Sequence, residues 1–379
     1  MNDNFLLSKL AERKADNALR RLRNGDGLAD FSSNDYLGLS YRQLIGPPPE
    51  NADVRKRLHG STGSRLISGN YPLIEETESQ IALFHKAAAG LIFNSGYDAN
   101  IGLLGCVAQR TDIILYDRLS HASVRDGIRL SFARSFSFLH NDLADLEKKL
   151  QIFSESAGQE TGSIFVVTES VFSMDGDMAP LKAIAELCSR YQAKLIVDEA
   201  HATGIIGENG AGLVAELGIE QDCFARVITF GKALGCHGAI VLGSVILRDF
   251  LINFSRPFIY TTAMPAVSVY AIKAAYSLFP DMKNERAKLR ELVVLFKNEA
   301  EGLNVRDSGT PIQPIIIPGN EQVKKIAAQL QSRGMDVRPI VYPTVARGEE
   351  RLRIVLHAFN TPEETESLAG ILKTLNAQG

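Results

Sequence analysis

Ile228-Thr229-Phe230-Gly231-Lys232-Ala233-Leu234-Gly235 sets a lysine directly after a short apolar run and between glycines. A solvated surface charge is a poor explanation of that placement. About thirty residues earlier stands Leu195-Ile196-Val197-Asp198-Glu199-Ala200-His201, an apolar run closed by an acid and, three residues on, a histidine. Short continuous apolar runs suit strands buried on both faces of a parallel sheet. The flanking sequence has the same character. Strand candidates at 90–93, 113–116, 164–168, 195–197, 227–230 and 240–242 alternate with helical stretches at 75–86, 99–107, 142–153 and 180–191. Strands alternating with helices predict an α/β fold, a mostly parallel sheet covered on both sides.

The chain has 379 residues, enough for a large and a small domain. An amphipathic helix is expected over 5–23, with Leu6, Leu10, Ala15, Ala18, Leu19 and Leu22 as its apolar stripe, ended by Asn24-Gly25-Asp26-Gly27. Gly46-Pro47-Pro48-Pro49 reads as a loop. A long helical region is expected from Ala266 to about Leu303, followed by a βαββα order over 312–317, 323–332, 336–340, 352–356 and 362–375. The expected division is 1–45 as an N-terminal helix and arm, 46–275 as a large domain and 276–379 as a small α+β C-terminal domain.

Composition excludes several classes. Apolar residues make up 45% and charged residues 22%, which is ordinary for a globular chain. A net charge of −3 gives no electrostatic case for nucleic acid or a membrane surface. Cys106, Cys188, Cys223 and Cys236 lack CxxC spacing and read as reduced thiols. Without an apolar run of about 18 residues or a basic-then-apolar start, neither a membrane span nor a signal peptide is expected, and a cytoplasmic location follows. No zinc-ligand spacing, serine-hydrolase elbow or Walker loop is present; Gly60-Ser61-Thr62-Gly63-Ser64 lacks the Gly-Lys-Ser/Thr ending.

The strand-end acid, the histidine and the glycine-flanked lysine together suggest an enzyme that holds pyridoxal phosphate as a Schiff base on Lys232. Asp198 can pair with a protonated ring nitrogen and keep the ring an electron sink; alternatively it caps a helix or binds a metal. Thr229, three residues before Lys232, can reach a phosphate, or is simply a β-branched strand residue. Asn94-Ser95-Gly96-Tyr97 joins a strand to a helix and offers N–H groups to phosphate, although any strand–helix turn can use Ser-Gly, and Tyr97 can be a core aromatic. His121 can stack on a flat ring or serve structurally. Ser173 can contact the cofactor or be a turn residue. Arg353 shares a strand face with Arg351 and can take a carboxylate in bidentate fashion, or sit in a salt-bridged edge strand.

Seven stretches in order carry a resemblance. They are Phe31-Ser32-Ser33-Asn34-Asp35-Tyr36-Leu37-Gly38-Leu39, Gly63-Ser64-Arg65-Leu66-Ile67-Ser68-Gly69, Asp117-Arg118-Leu119-Ser120-His121-Ala122-Ser123, Phe172-Ser173-Met174-Asp175-Gly176-Asp177, Asp198-Glu199-Ala200-His201-Ala202-Thr203-Gly204, Thr229-Phe230-Gly231-Lys232 and Tyr260-Thr261-Thr262-Ala263-Met264-Pro265. Through them nearly the whole chain resembles the α-oxoamine synthases, a fold-type-I pyridoxal phosphate family. The resemblance implies that Lys232 is the attachment lysine and base, that Asp198 faces the ring nitrogen, and that His121 stacks on the ring. It implies His201 and Ser173 at the ring hydroxyl, and Ser95, Gly96, Tyr97 and Thr229 around the phosphate, with Thr262 reaching it from the partner subunit. Arg353 is implied for the amino-acid carboxylate, and Arg20, His121 and Thr344 for substrate contacts. A homodimer with active sites at the subunit interface is implied. So is a decarboxylative condensation of L-alanine with a pimeloyl thioester carried on coenzyme A or acyl carrier protein. Glycine with acetyl-CoA is the alternative pair, and a non-catalytic pyridoxal phosphate-binding regulator the remote one.

Overall fold

Val166, Val167, Leu195, Ile196, Val197, Val227 and Ile228 have no solvent face to offer, and all are buried. Their strands lie in the middle of a seven-stranded sheet. The computed structural model describes residues 3–22, 24–25, 27–48, 59–155 and 162–376. Arg23, Asp26 and Pro49, which carried parts of the sequence reading, lie outside them.

The chain forms two compact units. The larger comprises residues 37–173 and 178–283. The other comprises residues up to Tyr36, residues 174–177 and residues from Asn284 onward. The first residues thus group with the C-terminal part rather than standing as an arm of their own, and the changeover comes at Lys283 rather than inside the helix around residue 275.

The second unit opens with helix α1 (Asn4–Ala15) and the short strand β1 (Ala29–Asp30). The expected helix over 5–23 stops at Ala15, because Asn17 turns left-handed at φ 49° and the Ala18 N–H reaches back to the Arg13 carbonyl. Asparagine tolerates that conformation and ends helices for the same reason. No residue of α1 is buried, so its apolar residues face outward.

The larger unit follows the alternation read from sequence. It runs α2 (Pro72–Phe84), β2 (Ala89–Phe93), α3 (Gly96–Val107), β3 (Ile113–Asp117), α4 (Ala122–Leu130), β4 (Arg134–Phe138), α5 (Leu143–Glu155), β5 (Ile164–Glu169) and α6 (Leu181–Arg190). Then come β6 (Lys194–Asp198), α7 (Leu213–Leu217), β7 (Cys223–Thr229), β8 (Ala239–Gly243), α8 (Val245–Phe254), α9 (Arg256–Ile259) and α10 (Ala266–Leu278). The strand order is β2-β8-β7-β6-β5-β3-β4. The pairs from β7 across to β4 are parallel, and only those made by β8 are antiparallel. Leu91, Leu103, Ile114, Phe165, Val227 and Phe258 belong to the core on one face. Burying side chains of this size contributes about 1.5–3 kcal/mol each.

The expected continuous helix from Ala266 is divided. A 3₁₀ turn at Phe279–Asp281 separates α10 from α11 (Lys283–Glu299), with Pro280 as the breaker. The remainder is β9 (Ile312–Ile316), α12 (Asn320–Gln331), β10 (Met335–Asp336), β11 (Arg338–Ile340), β12 (Arg351–Val355) and α13 (Pro362–Asn376), which differs from the expected βαββα order in that the strand read over 336–340 is two short strands, β10 and β11. β12 lies between β11 and β9 in an antiparallel sheet, and β1 pairs with β10.

Candidate active site

Three strand ends and two helix starts of the larger unit meet around a cavity of about 190 Å³. The carboxyl ends of β5, β6 and β7 supply Glu169, Asp198 and Thr229. The start of α3 supplies Gly96 and Tyr97, and the start of α4 supplies His121. Lys232 enters from the return between β7 and β8, and His201 from the turn after β6. Parallel strands put these residues together because every carboxyl end points the same way.

The lysine is placed by backbone. Phe230 N–H donates to the Gly238 carbonyl at 2.9 Å, Cys236 N–H to the Phe230 carbonyl at 2.8 Å, and Gly235 N–H to the Lys232 carbonyl at 2.8 Å. Lys232 Nζ then lies 2.7 Å from His201 Nε2. Asp198 is fixed on both oxygens: Oδ1 accepts from the Ala200 N–H at 2.9 Å and Oδ2 from Asn100 Nδ2 at 2.7 Å. Across the sheet, Asp198 is register partner to Glu169. Glu169 Oε1 accepts from the His121 backbone N–H at 2.5 Å. Burial, reinforced by the Asp198 charge, pushes the Glu169 carboxyl well above the usual range. A proton held there relieves two adjacent buried carboxyls of mutual repulsion.

Two candidates for a phosphate face each other. A methyl group built on Gly96 would stand 3.5 Å from Thr229 Oγ1, so the absent side chain leaves a recess between the α3 N-terminus and the end of β7. Ser95 is committed to the helix: its Oγ caps the Asp98 N–H at 3.0 Å. Tyr97 Oη donates to Asp126 Oδ2 at 2.5 Å. Ser173 and Thr262 do not line this cavity; the Thr262 carbonyl accepts from Asn94 Nδ2 at 2.9 Å.

A family model described as aminotransferase class I and II matches residues 26–372. The chain belongs to that aminotransferase family. An 8-amino-7-oxononanoate synthase of Emericella nidulans is 42% identical to it over 368 residues, covering 91% of this chain and 88% of that one. Among solved structures, 8-amino-7-oxononanoate synthase from Francisella tularensis matches with TM-score 0.76 and 27% identity, over 93% of this chain and 99% of that one. Sphingomonas wittichii serine palmitoyltransferase matches with TM-score 0.84 and 25% identity, over 99% and 97%. As a member of the aminotransferase family, the chain is a pyridoxal phosphate enzyme of fold type I. The donor set fits that group: an amine, a fixed carboxylate and a recess for an anion line one cavity.

Of the substrate candidates of this aminotransferase-family chain, His121 lines the cavity of the larger unit, whereas Arg20, Thr344 and Arg353 belong to the second unit. Arg20 Nη2 donates to Thr344 Oγ1 at 3.1 Å. Arg353 Nη2 donates to Asn34 Oδ1 at 3.0 Å, whereas its neighbour on the strand face, Arg351, is paired with the Asp175 carboxylate. Burial pushes the Tyr36 hydroxyl up to about 12, with Arg353 acting in the opposite direction.

Sequence reading missed Asn100, Ser123 and Glu169, all of which line the cavity. Asn100 shares the buried face of α3 with Ala99, Leu103 and Leu104, a polar residue in an apolar stripe. Glu169 closes β5 just as Asp198 closes β6. Glu169 therefore had a signal, a strand-end acid; Asn100 had only polarity in an apolar stripe, which names no partner, and Ser123 had none.

Gly204 packs closely against Ala233, the residue after the lysine. Its φ is +92°, and a Cβ there would stand 2.4 Å from the Ala233 Cβ, beside Lys232. Gly204→Ala therefore combines left-handed strain with overpacking, and is expected to destabilise the fold by about 2–4 kcal/mol. Urea denaturation checks this; an unchanged midpoint would mean that the 204–233 contact is not tight.

Proposed function

We propose that this chain is an 8-amino-7-oxononanoate synthase, which condenses L-alanine with a pimeloyl thioester in biotin biosynthesis. Carbon dioxide and the free thiol carrier, coenzyme A or acyl carrier protein, are the other products. The observation that carries the chemistry is Lys232 Nζ at 2.7 Å from His201 Nε2 in the cavity that also holds Asp198. Full-length likeness to named synthases supports the substrate pair.

Pyridoxal phosphate, when bound, supplies an electron sink for negative charge developing at the amino-acid Cα. Asp198 would meet the ring nitrogen and hold its positive charge. Gly96, Tyr97 and Thr229, with Ser95 behind them, would hold the phosphate, and Thr262 of the partner subunit would complete that site. His121 would cover one ring face, and His201 and Ser173 would orient the ring hydroxyl. Lys232 Nζ takes the Cα proton, and its contact with His201 fixes where the amine stands. Arg353 binds the alanine carboxylate, while Arg20 and Thr344 contact substrate.

The enzyme acts as a homodimer. Phe5, Leu6, Leu7 and Leu10 on α1 are exposed in one chain, as expected of a surface that a partner subunit covers. No described helix is long and apolar enough to cross a membrane. A cytoplasmic location accords with four cysteines that form no disulfide.

The test supplies the holoenzyme with L-alanine or glycine, each with pimeloyl-CoA or acetyl-CoA, and identifies products by mass spectrometry. 8-Amino-7-oxononanoate is expected, with alanine preferred over glycine by about 10- to 200-fold, the range one methyl group allows. Product from glycine and acetyl-CoA alone would sink the assignment in favour of glycine C-acetyltransferase.

A further inference from the structure

We propose that Asn100 and Ser123 are positioning residues that lock His121 in a single tautomer and tie it to Asp198. The cofactor half of this proposal rests on the function proposed above; the tautomer half does not. His121 is the N-cap of α4, and its Nδ1 receives the Ser123 backbone N–H at 3.2 Å. A backbone N–H can only donate, so Nδ1 carries no hydrogen. Ser123 Oγ lies 2.8 Å from the same nitrogen and must therefore give it the hydroxyl hydrogen.

Oγ in turn accepts from Asn100 Nδ2 at 3.0 Å. The second hydrogen of that amide goes to Asp198 Oδ2 at 2.7 Å. A carboxylate only accepts, so the amide nitrogen, not its oxygen, must face Asp198. Every donor in the chain Asp198–Asn100–Ser123–His121 thus has one consistent direction, leaving Nε2 as the hydrogen-bearing nitrogen of His121.

The network is shielded. Asn100 is 3% exposed and Ser123 1%. Close approach of α3 and α4 is made possible by Gly127, where a Cβ would stand 2.8 Å from the Asn100 carbonyl oxygen. Buried, fully satisfied polar chains of this kind hold side chains in one orientation. Burial also lowers the His121 pKa; Asp198 is the next influence and opposes it, while Lys232 and Arg125 act with burial and Asp126 against it. The outcome is a neutral imidazole presenting a donor on its Nε2.

Nitrogen-15 histidine labelling of the full-length, cofactor-free chain reads the tautomer directly, with His121 assigned by its loss in His121→Gln. The Nε2–H form is expected at neutral pH. In Ser123→Ala one of the two donors to Nδ1 is gone, so the His121 titration moves to higher pH; Ser123→Thr keeps the hydroxyl and restores the original titration. In Asn100→Ala one donor to a charged group is lost, and pyridoxal phosphate is expected to bind about 10- to 100-fold more weakly. An Nδ1–H form in the unaltered chain, or a titration unmoved in Ser123→Ala, overturns the tautomer lock. Unchanged cofactor affinity in a folded Asn100→Ala, checked by circular dichroism, overturns the tie to Asp198. If the unaltered chain bound no pyridoxal phosphate yet showed the Nε2–H form, the lock would stand and the proposed function would fall.

Discussion

Replacing Lys232 with alanine is expected to lower turnover by at least about 10³-fold, within the range a positioned general base supplies. The amine has two tasks in the proposed chemistry, holding the cofactor and taking the Cα proton. Lys232→Arg separates charge from base. A guanidinium keeps the positive charge beside His201 but neither forms the covalent attachment nor accepts a proton, so it should be as inactive as the alanine variant. Borohydride reduction followed by peptide mapping gives an independent readout: the cofactor should be fixed to the peptide containing Lys232 and to none in either variant. Attachment at another lysine, or turnover within tenfold of the original enzyme, would refute the assignment of this residue.

The second large effect belongs to Asp198. An ion pair at ~3 Å with an effective dielectric of ~20 is worth roughly 5 kcal/mol before desolvation is subtracted. Asp198→Asn preserves shape while removing the charge, and Ala200 N–H and Asn100 Nδ2 keep an acceptor only in part. Turnover is expected to fall by about 10²-fold or more, equivalent to at least ~2.7 kcal/mol of lost stabilisation. Pyridoxal phosphate should also bind more weakly. Steady-state kinetics at saturating cofactor distinguish the two: recovery of full turnover by added cofactor would reduce Asp198 to a binding residue and remove its proposed electronic role.

Most of the central sheet was legible because its strands are apolar throughout. The runs ending at Thr168, Val197 and Phe230 lie within one residue of observed strand ends. β4 was not legible. Its Arg-Ser-Phe-Ser-Phe is exposed along four of five residues at the sheet edge, so it lacks the continuous apolar signal. α1 failed in the other direction, since a helical apolar stripe says nothing about where Asn17 turns the chain. In the cavity, Lys232, Asp198, His201 and Thr229 were readable from glycine flanks and strand ends. Asn100 and Ser123 were not, because their meaning lies in a network spanning residues 98 apart in sequence. Periodicity reports which face a residue occupies, not which distant side chain it meets there.

The antiparallel setting of β8 has a consequence for loop length. A parallel neighbour would require a crossover of a dozen or more residues after β7. Reversal instead lets the chain return through residues 230–238, closed by the Phe230–Gly238 and Cys236–Phe230 backbone bonds. Entropy hardly penalises lengthening such a segment; even doubling it costs only about 0.6 kcal/mol. The attacking amine, by contrast, must remain within a few tenths of an ångström of its station. Spacing along this return is therefore governed by chemistry and barely by folding: an extra residue beside Lys232 would leave a soundly assembled sheet carrying a lysine with nothing in reach.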